Sequence, residues 1–412
     1  MTGMMPMQSE RKSTLKTILL PLVAAGCLLV ASPASADKGF QKWINNFYPT
    51  AAKAGISKST YLAAFKGVTE PDPAVLEKAA YQPEFKHAIW DYLDSRVNPY
   101  TVGIGQDMLR QHGKTLNAIE RHFGVDKHIL LAIWSMESNY GAVFEKPDRL
   151  HSVPRALATL AYADKRRSKF ARTQLIAALK ILERGDIKPS QLTGSWAGAM
   201  GHTQFIPTSY LIYAYDADGN GKRDIWNSVP DALATAANLL KKNGWQTGKT
   251  WGYEVTAPAN GEKYAGKSKS LAEWQSLGFL RANGKGFKFG KDRAVLKMPA
   301  GPNGPAFLMT KNFFVIKNYN AADSYALGVG TLADQLAGYS GVAQAWPRPA
   351  GTLDINQKFE LQTRMKTLGY YDGAIDGNFG SGSKAAIQAI QKQFGMEPDG
   401  KPSEALLRAL KQ

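Results

Sequence analysis

The stretch 129–141, which opens with six consecutive apolar residues, constrains the fold most strongly, because it predicts a helix that must be buried. Asp126 lies just before the run and is a residue type that favours helix N-caps. Gly141 lies at its end and is a residue type that ends helices. The sequence therefore predicts one short helix in the middle of a hydrophobic core.

One carboxylate, Glu137, falls in the last turn of this predicted helix. Leu130, Ile133 and Trp134 precede it by seven, four and three residues, which places Glu137 on the same face as the apolar stripe. A carboxyl group there loses hydration, so its pKa should rise into the range that suits a general acid near neutral pH. The alternative is an ordinary solvated or ion-paired glutamate.

The segment 194–210 differs in composition from the helical sequence before it. Three glycines and several small residues over 194–201 permit a close backbone approach or a positive φ. Such a segment suits the wall of a cleft, although a structural turn is the alternative interpretation.

An acidic loop follows over residues 216–227. Oxygen-bearing side chains fall at loop positions 1, 3, 5 and 9, with glycine at position 6, as in the first half of an EF-hand calcium loop. Position 12 holds Asn227 instead of glutamate, and we expect Asp231 to close the site. The predicted ligands of a structural calcium ion are Asp216, Asp218, Asn220 and Asp231. The alternative is an Asp/Gly-rich turn without metal.

The remaining pattern predicts a mainly α protein of 412 residues. Helical periodicity dominates residues 37–345, interrupted over 251–316 by four short β-like runs that indicate a small inserted sheet. The fourth of these runs is 313–316. A Pro- and Gly-containing linker is predicted at 346–352, followed by a small three-helix module at 353–412.

The N-terminal residues 1–36 read as a secretory signal, with basic residues before an apolar run and a small-residue cleavage site at 34–36. The single cysteine, Cys27, lies inside this segment. We expect cleavage after Ala36, export to the periplasm of a Gram-negative bacterium and a mature chain without thiol chemistry. The alternative is lipidation at Cys27, which would anchor the protein to the outer membrane.

The chain is strongly basic, with a formal net charge of +17. A basic exported protein is attracted to an anionic polymer or to a membrane surface. Nucleic acid is not expected as a partner, because the chain carries an export signal and lacks a basic-aromatic recognition motif.

Three motifs resemble the membrane-bound lytic murein transglycosylase B family: Glu137 to Gly141, Gly194 to Gly201 and Gln204 to Tyr210. The resemblance covers roughly residues 37–340 and implies a lysozyme-like catalytic domain. Four further motifs resemble a peptidoglycan-binding domain: Leu361-Gln362, Leu368 to Tyr370, Asp376 to Gly380 and Asp399-Gly400.

The resemblance implies that Glu137 is the single catalytic acid/base. It also implies that Ser195 and Gln204 orient the sugar and that Tyr319 helps to set the pKa of Glu137. The positions implied for substrate binding are Tyr140, Ser195, Gln204, Tyr319, Asn320 and Tyr325. Leu239 departs from the family pattern, since a cleft tyrosine is associated with its position.

The implied reaction breaks the β-1,4 bond between N-acetylmuramic acid and N-acetylglucosamine without water and leaves 1,6-anhydro ends. No cofactor is needed for that chemistry. Peptidoglycan glycan strands are the expected partner, cell-wall synthesis complexes are candidate protein partners, and a monomer is expected. One alternative is a hydrolytic goose-lysozyme-like muramidase, which needs a second carboxylate. The other is a wall-binding scaffold without catalysis.

Overall fold

The computed structural model describes residues 37–80 and 88–411, so the predicted signal segment lies outside it. The described chain is mostly helical, which confirms the predicted fold class. Its α-helices are α1 Lys38–Lys53, α2 Lys58–Ala64, α3 Pro73–Ala80, α4 Ile89–Arg96, α5 Pro99–Phe123, α6 Lys127–Ser138, α7 Val153–Ala163, α8 Ser168–Glu183, α9 Pro207–Tyr213, α10 Val229–Lys242, α11 Leu271–Ser276, α12 Lys311–Ile316, α13 Asp323–Leu336, α14 Ile355–Thr367, α15 Ser381–Gln393 and α16 Glu404–Ala409. Its strands are β1 His151–Ser152, β2 Thr193–Gly194, β3 Gly252–Thr256, β4 Ser268–Ser270, β5 Leu280–Arg281, β6 Arg293–Lys297 and β7 Ala306–Met309.

Helix α6 is the centre of the helical body, as the apolar run predicts. Helices α5, α10 and α13 pack around it, and every residue over 129–136 is buried. The Asp126 carboxylate caps the helix by accepting the His128 backbone N–H at 2.7 Å. Each large apolar side chain buried here contributes about 2 kcal/mol to folding.

The end of α6 differs from the prediction that Gly141 ends it. The helix stops at Ser138, and Asn139 takes the left-handed conformation with φ of 50°. Tyr140 and Gly141 follow with φ of 56° and 92°. Asparagine adopts this conformation more readily than most residues, so the reversal begins two residues earlier than the glycine alone indicates.

Two glycines in α13 allow other elements to approach it closely. A Cβ atom at Gly330 would lie 2.4 Å from the Trp251 ring, and one at Gly328 would lie 3.0 Å from Met136 of α6. The small residues therefore bring α13, which carries Tyr325, against the helix that carries Glu137.

The inserted sheet is antiparallel, with strand order β4-β6-β7-β3-β5 and α11 packed against it. It has a core of its own that contains the fully buried Trp274. Three of the four predicted β-like runs correspond to β3, β6 and β7, whereas the prediction of a strand over 313–316 is wrong because those residues lie in α12. A four-residue apolar run fits both periodicities, and here burial against the helical core selects the helix.

The C-terminal module consists of α14, α15 and α16 around a small apolar core, as predicted. Its repeated Asp-Gly turns are each held by a buried glutamine of the preceding helix. The Gln362 side chain accepts the Gly377 backbone N–H at 2.7 Å, and the Gln391 side chain accepts that of Gly400 at 2.9 Å. The two Asp-Gly turns are therefore held by the same hydrogen-bonding arrangement.

The predicted linker, 346–352, contacts the preceding part of the chain through the side chains of Trp346 and Arg348. The Trp346 ring stacks on Phe307 with centroids 6.4 Å apart. Arg348 donates two hydrogen bonds to the buried Asp94 carboxylate, at 2.7 and 2.9 Å, and Lys358 of α14 donates a third at 2.8 Å. Asp94 therefore joins α4 to both the linker and the module.

No helix within residues 37–80 and 88–411 is long and apolar enough to cross a membrane.

Candidate active site

Glu137 lies in the last turn of α6, closely surrounded by protein yet with part of its surface accessible. The Tyr325 hydroxyl donates a hydrogen bond to Glu137 Oε1 at 2.6 Å. Burial raises the pKa of Glu137 from its ordinary value to about 7, against smaller lowering effects of Tyr325 and Arg96. This confirms the rise in pKa that the helical spacing predicts.

Tyr319, for which the family resemblance implies a role in setting the pKa of Glu137, makes no direct hydrogen bond to that carboxyl group. Its hydroxyl donates to the Thr203 backbone carbonyl at 2.8 Å, whereas the direct partner of Glu137 is Tyr325. The Tyr319 and Tyr325 rings stack with centroids 6.5 Å apart, so Tyr319 packs against the tyrosine that contacts Glu137. Asn320 is exposed, and its side-chain oxygen accepts the Ala322 backbone N–H.

The segment after β2 folds back on itself, as the glycines predict. Ser195 Oγ accepts the Ala199 backbone N–H at 3.0 Å, and Gln204 Nε2 donates to the Gly201 carbonyl at 2.8 Å. A Cβ atom at Gly201, where φ is 70°, would lie 2.5 Å from the Ile225 carbonyl oxygen. Ser195 and Gln204 thus hold the shape of this segment, and both are partly exposed.

A groove of about 730 Å³ begins where α6 ends. Its lining combines aromatic, aliphatic and polar side chains: Tyr100, Ile104, Met108, Asn139, Tyr140, Gly141, Ala142, Phe144, Glu145, Gln191, Thr193, His202, Trp226 and Asn227. Mixed linings of this kind suit saccharides, which present both apolar ring faces and hydroxyls. The predicted contact Tyr140 is largely buried, and its hydroxyl donates to the Thr101 carbonyl at 3.3 Å.

His202 is a groove residue that sequence reasoning did not select. Its Nδ1 accepts the Trp134 indole N–H at 3.2 Å, which leaves the proton of the neutral ring on Nε2. Burial lowers the pKa of His202 to about 4, so the ring is uncharged near neutral pH. A lone histidine in a glycine-rich segment carries no sequence signal for this position, because its neighbour Trp134 is distant in the chain.

Sequence reasoning also missed Tyr92 and Arg96 of α4. Burial, and to a smaller extent the negative charge of Glu137, raises the pKa of Tyr92. The pKa of Glu137, raised by burial, is in turn lowered slightly by the charge of Arg96. Nothing in the sequence relates α4 to α6, so neither residue could be placed near Glu137 in advance.

The acidic loop brings together three of its four predicted ligands. Carboxylate oxygens of Asp216, Asp218 and Asp231 lie within 4.8 Å of one another. Asp231 is fully buried, makes no salt bridge among the described residues and has its pKa raised by burial. A converging set of carboxylates with one member buried and uncompensated fits a hard divalent cation such as calcium. The Asn220 side-chain oxygen instead accepts the Lys222 backbone N–H at 2.9 Å.

A carboxyl group with its pKa raised to about 7, near a mixed groove in a mainly helical body, suits an enzyme that cleaves glycosidic bonds. Comparison with known families agrees. A family described as "Transglycosylase SLT domain" matches residues 39–334, and a peptidoglycan binding domain family matches residues 359–410. The chain belongs to the transglycosylase SLT domain family and is homologous to lytic transglycosylases, which cleave glycosidic bonds of peptidoglycan.

The membrane-bound lytic murein transglycosylase B of Escherichia coli K12 is 30% identical over 247 residues, covering 60% of this chain and 66% of that relative. SltB3 of Pseudomonas aeruginosa, solved in complex with NAG-anhNAM-pentapeptide, is 44% identical with a TM-score of 0.72. That match covers 91% of this chain and 100% of the other. The Escherichia coli lytic transglycosylase Slt35, solved with calcium, is 25% identical with a TM-score of 0.60, covering 73% and 93%. The resemblance inferred from the motifs is thereby confirmed.

Proposed function

We propose that this protein is an exported lytic transglycosylase in which Glu137 acts first as general acid and then as general base. Protonated Glu137 gives its proton to the oxygen of the β-1,4 bond between N-acetylmuramic acid and N-acetylglucosamine. The resulting carboxylate takes the proton of the muramyl C6 hydroxyl, whose oxygen attacks C1. The bond breaks without water, and the products are a 1,6-anhydro-muramyl end and a free N-acetylglucosamine hydroxyl.

The observation that carries this proposal is the state of Glu137. A pKa of about 7 leaves the carboxyl partly protonated at neutral pH, so it can both give and take a proton. Tyr325 donates to Oε1, so the carboxyl proton of the acid form lies on the other oxygen. The attacking hydroxyl belongs to the same sugar, and an intramolecular attack needs little additional ordering.

The goose-lysozyme-like hydrolase remains the second candidate, and the surroundings of Glu137 disfavour it. Among the described residues, the groups that shift its pKa are Tyr325 and Arg96, and neither is a carboxylate. A hydrolase would need a second carboxylate to activate water. A mechanism in which the substrate supplies the nucleophile needs only the one acid.

We also propose substrate-binding roles for the remaining polar residues and a cellular location for the protein. Ser195 and Gln204 shape the wall past which the sugar acetamido groups lie, and Tyr140 and Asn320 bind substrate at the margins of the site. The P. aeruginosa and E. coli relatives support glycan strands with attached peptides as substrate and a structural calcium ion held by Asp216, Asp218 and Asp231. We place the enzyme in the periplasm as a monomer, released by cleavage after Ala36.

The decisive experiment is mass spectrometry of the products released from purified sacculi. We expect muropeptides with 1,6-anhydro ends, each lighter by one water than the corresponding reducing end. Glu137→Gln is expected to release nothing, whereas Glu77→Gln, the same change at an exposed site, is expected to behave as wild type. Reducing ends would indicate the hydrolase, and turnover by Glu137→Gln would refute the role of Glu137.

A further inference from the structure

A second cavity, of about 1000 Å³, lies between the helical body and the inserted sheet. We call it the sheet-side cavity; residues that define it are Asp126, Trp251, Tyr253, Arg281, Phe289 and Asp334. It shares no lining residue with the groove beside α6, and Glu137 is a lining residue of neither. Its volume is at the upper end of the range for ligand sites in proteins.

The helical wall of this cavity presents an uncompensated acid, Asp334 of α13. Asp334 Oδ2 accepts the Trp251 indole N–H at 3.2 Å, and among the described residues no cation lies within salt-bridge distance of it. Burial raises the pKa of Asp334 to about 7. A buried carboxyl group without a cation is costly to folding, and a ligand that supplies a cation would remove that cost.

The sheet wall presents the opposite charge. Arg281 lies over the Tyr253 ring at 4.8 Å, and among the residues that the structure describes its guanidinium donates to the Gly286 carbonyl alone. Lys285 and Lys288, on the loop after β5, are exposed and form no ion pair within the described ranges. Within the described ranges none of these three cations forms an ion pair, although Arg281 is near enough to Asp334 to be one of the smaller influences that lower its pKa. All three are therefore available to a carboxylate.

The other charged groups of the cavity are already engaged. The two Glu254 oxygens accept backbone N–H groups of Ala343 and Gln344 at 2.8 Å. Lys249 pairs with Asp292 at 2.8 Å, and Asp126 caps α6. Glu120 pairs with Lys127, and His128 pairs with Asp126. Among the described lining residues, one acid on the helical wall and three bases on the sheet wall remain without an ion pair, and the Tyr253 and Phe289 rings also line the cavity.

We propose that the sheet-side cavity binds a zwitterionic peptide, whose ammonium group pairs with Asp334 and whose carboxylate pairs with Arg281 and the neighbouring lysines. The aromatic rings take the aliphatic parts of the peptide. The ligand is a peptide stem of the polymer that the active site cleaves, and in naming this source the inference rests on the proposed function. The site would hold the substrate by its peptide while the groove holds the glycan.

A purely anionic occupant fits less well, because it would place negative charge beside Asp334 and leave that carboxyl unpaired. The matching of ligand charges to Asp334 and Arg281 is therefore the property to test.

The test uses isothermal titration calorimetry of the full chain with an N-acetylated pentapeptide that carries a lysyl side chain and a free carboxyl terminus. Two blocked forms serve as probes, one acetylated on the lysine and one amidated at the terminus. Asp334→Asn is expected to bind the free peptide at least about tenfold more weakly than wild type, and Arg281→Gln likewise.

The pairing predicts a specific pattern of losses. Asp334→Asn should lose no further affinity for the lysine-acetylated peptide, because it has lost the partner of the blocked group. Arg281→Gln should lose less affinity on amidation of the peptide than wild type does, because Lys285 and Lys288 remain as partners of the carboxylate. Equal binding of free and blocked peptides, or equal binding by wild type and both variants, would overturn the proposal. Tighter binding of the lysine-acetylated peptide would indicate an anionic ligand instead.

Two controls separate a loss of peptide binding from a loss of catalysis and from misfolding. Cleavage of peptide-free glycan chains by Asp334→Asn should equal that of wild type, since Glu137 is untouched. If wild type releases no products from sacculi, the proposed function fails while the peptide titration still stands. Thermal unfolding checks each variant, and Arg281→Gln, at a partly exposed position, decides the question if Asp334→Asn does not fold.

Discussion

A single hydrogen bond, from the Tyr325 hydroxyl to Glu137, distinguishes the two tyrosines stacked beside the acid. That bond favours the charged form of Glu137 and so holds its pKa below the value that burial alone would give. Tyr319 contacts the Thr203 carbonyl and acts on Glu137 only at a distance.

Replacing Tyr325 by phenylalanine should therefore raise the pKa of Glu137 above about 7. The alkaline limb of the pH–rate profile moves to higher pH, and kcat falls about tenfold as positioning is lost. Tyr319→Phe is the matched control, expected to shift the limb less. The measurement is kcat/KM against pH on soluble glycan chains, and an unchanged limb in Tyr325→Phe would count against this assignment.

The same burial makes the folding free energy depend on pH. Since the pKa of Glu137 is about 7 in the folded protein against an ordinary 4.5, the folded chain holds the proton more tightly than the unfolded chain. The stability that Glu137 contributes is complete below pH 4.5 and is lost as the pH rises through about 7.

Glu137→Gln, which never ionises, should gain about 3 kcal/mol of stability over wild type as the pH is raised from about 4 to about 8. Chemical denaturation at a series of pH values measures the difference. Glu77→Gln should show no such trend, and a flat difference for Glu137→Gln would mean that the carboxyl is not desolvated.

At the residue scale, the sequence predicts those properties of the site that depend on a single helix. The face of Glu137 and its raised pKa follow from spacing within α6. The identity of its partner does not, because Tyr319 and Tyr325 are both close in sequence and only the packing of α13 selects between them. His202 escapes prediction for the same reason, since its hydrogen bond to Trp134 joins distant segments.

Among the elements, the acidic loop between α9 and α10 shows how a partial motif can be completed. The carboxylate missing at position 12 is supplied by Asp231, which lies in the first turn of α10 and is fully buried. Its two oxygens accept the Ala217 and Asp224 backbone N–H groups at 2.8 Å, which fixes the loop around the three acids.

We expect calcium to raise the Tm of the protein by a few degrees at millimolar concentration, and chelation to reverse the rise, because a ligand of the folded state alone stabilises it. Asp231→Asn should abolish the calcium response, whereas Asp107→Asn, on an exposed helix surface, should retain it. Differential scanning calorimetry with and without calcium measures the change in Tm. A rise in Tm that persists in Asp231→Asn would show that calcium does not bind at this loop.

The sequence predicts whether a segment is a helix or a strand well where the periodic segment is long, and poorly where it is short. Helices α5, α6 and α8 carry enough turns for the 3.6-residue period to be clear. The four residues 313–316 fit a strand or a helix equally, and two-residue strands such as β5 leave no pattern at all. Only contacts with the rest of the fold decide such segments.

For the whole molecule, two parts with a shared polymer target are joined in one chain. The module has its own apolar core, so it can be removed without opening the helical body. Deleting residues 352–412 should lower retention on sacculi in a pull-down assay while turnover on soluble glycan chains persists. Equal retention of the full and shortened chains would contradict a wall-binding role for the module.

The Asp94 cluster has a mechanical consequence for the two parts of this chain. Force applied to the C-terminal module would reach the helical body through the linker and through the ion pairs of Arg348 and Lys358 with Asp94 on α4. Helix α4 packs against α13, the helix that holds Tyr325 against Glu137. A pull on the module would therefore act, through two packed helices, on the surroundings of that carboxyl group.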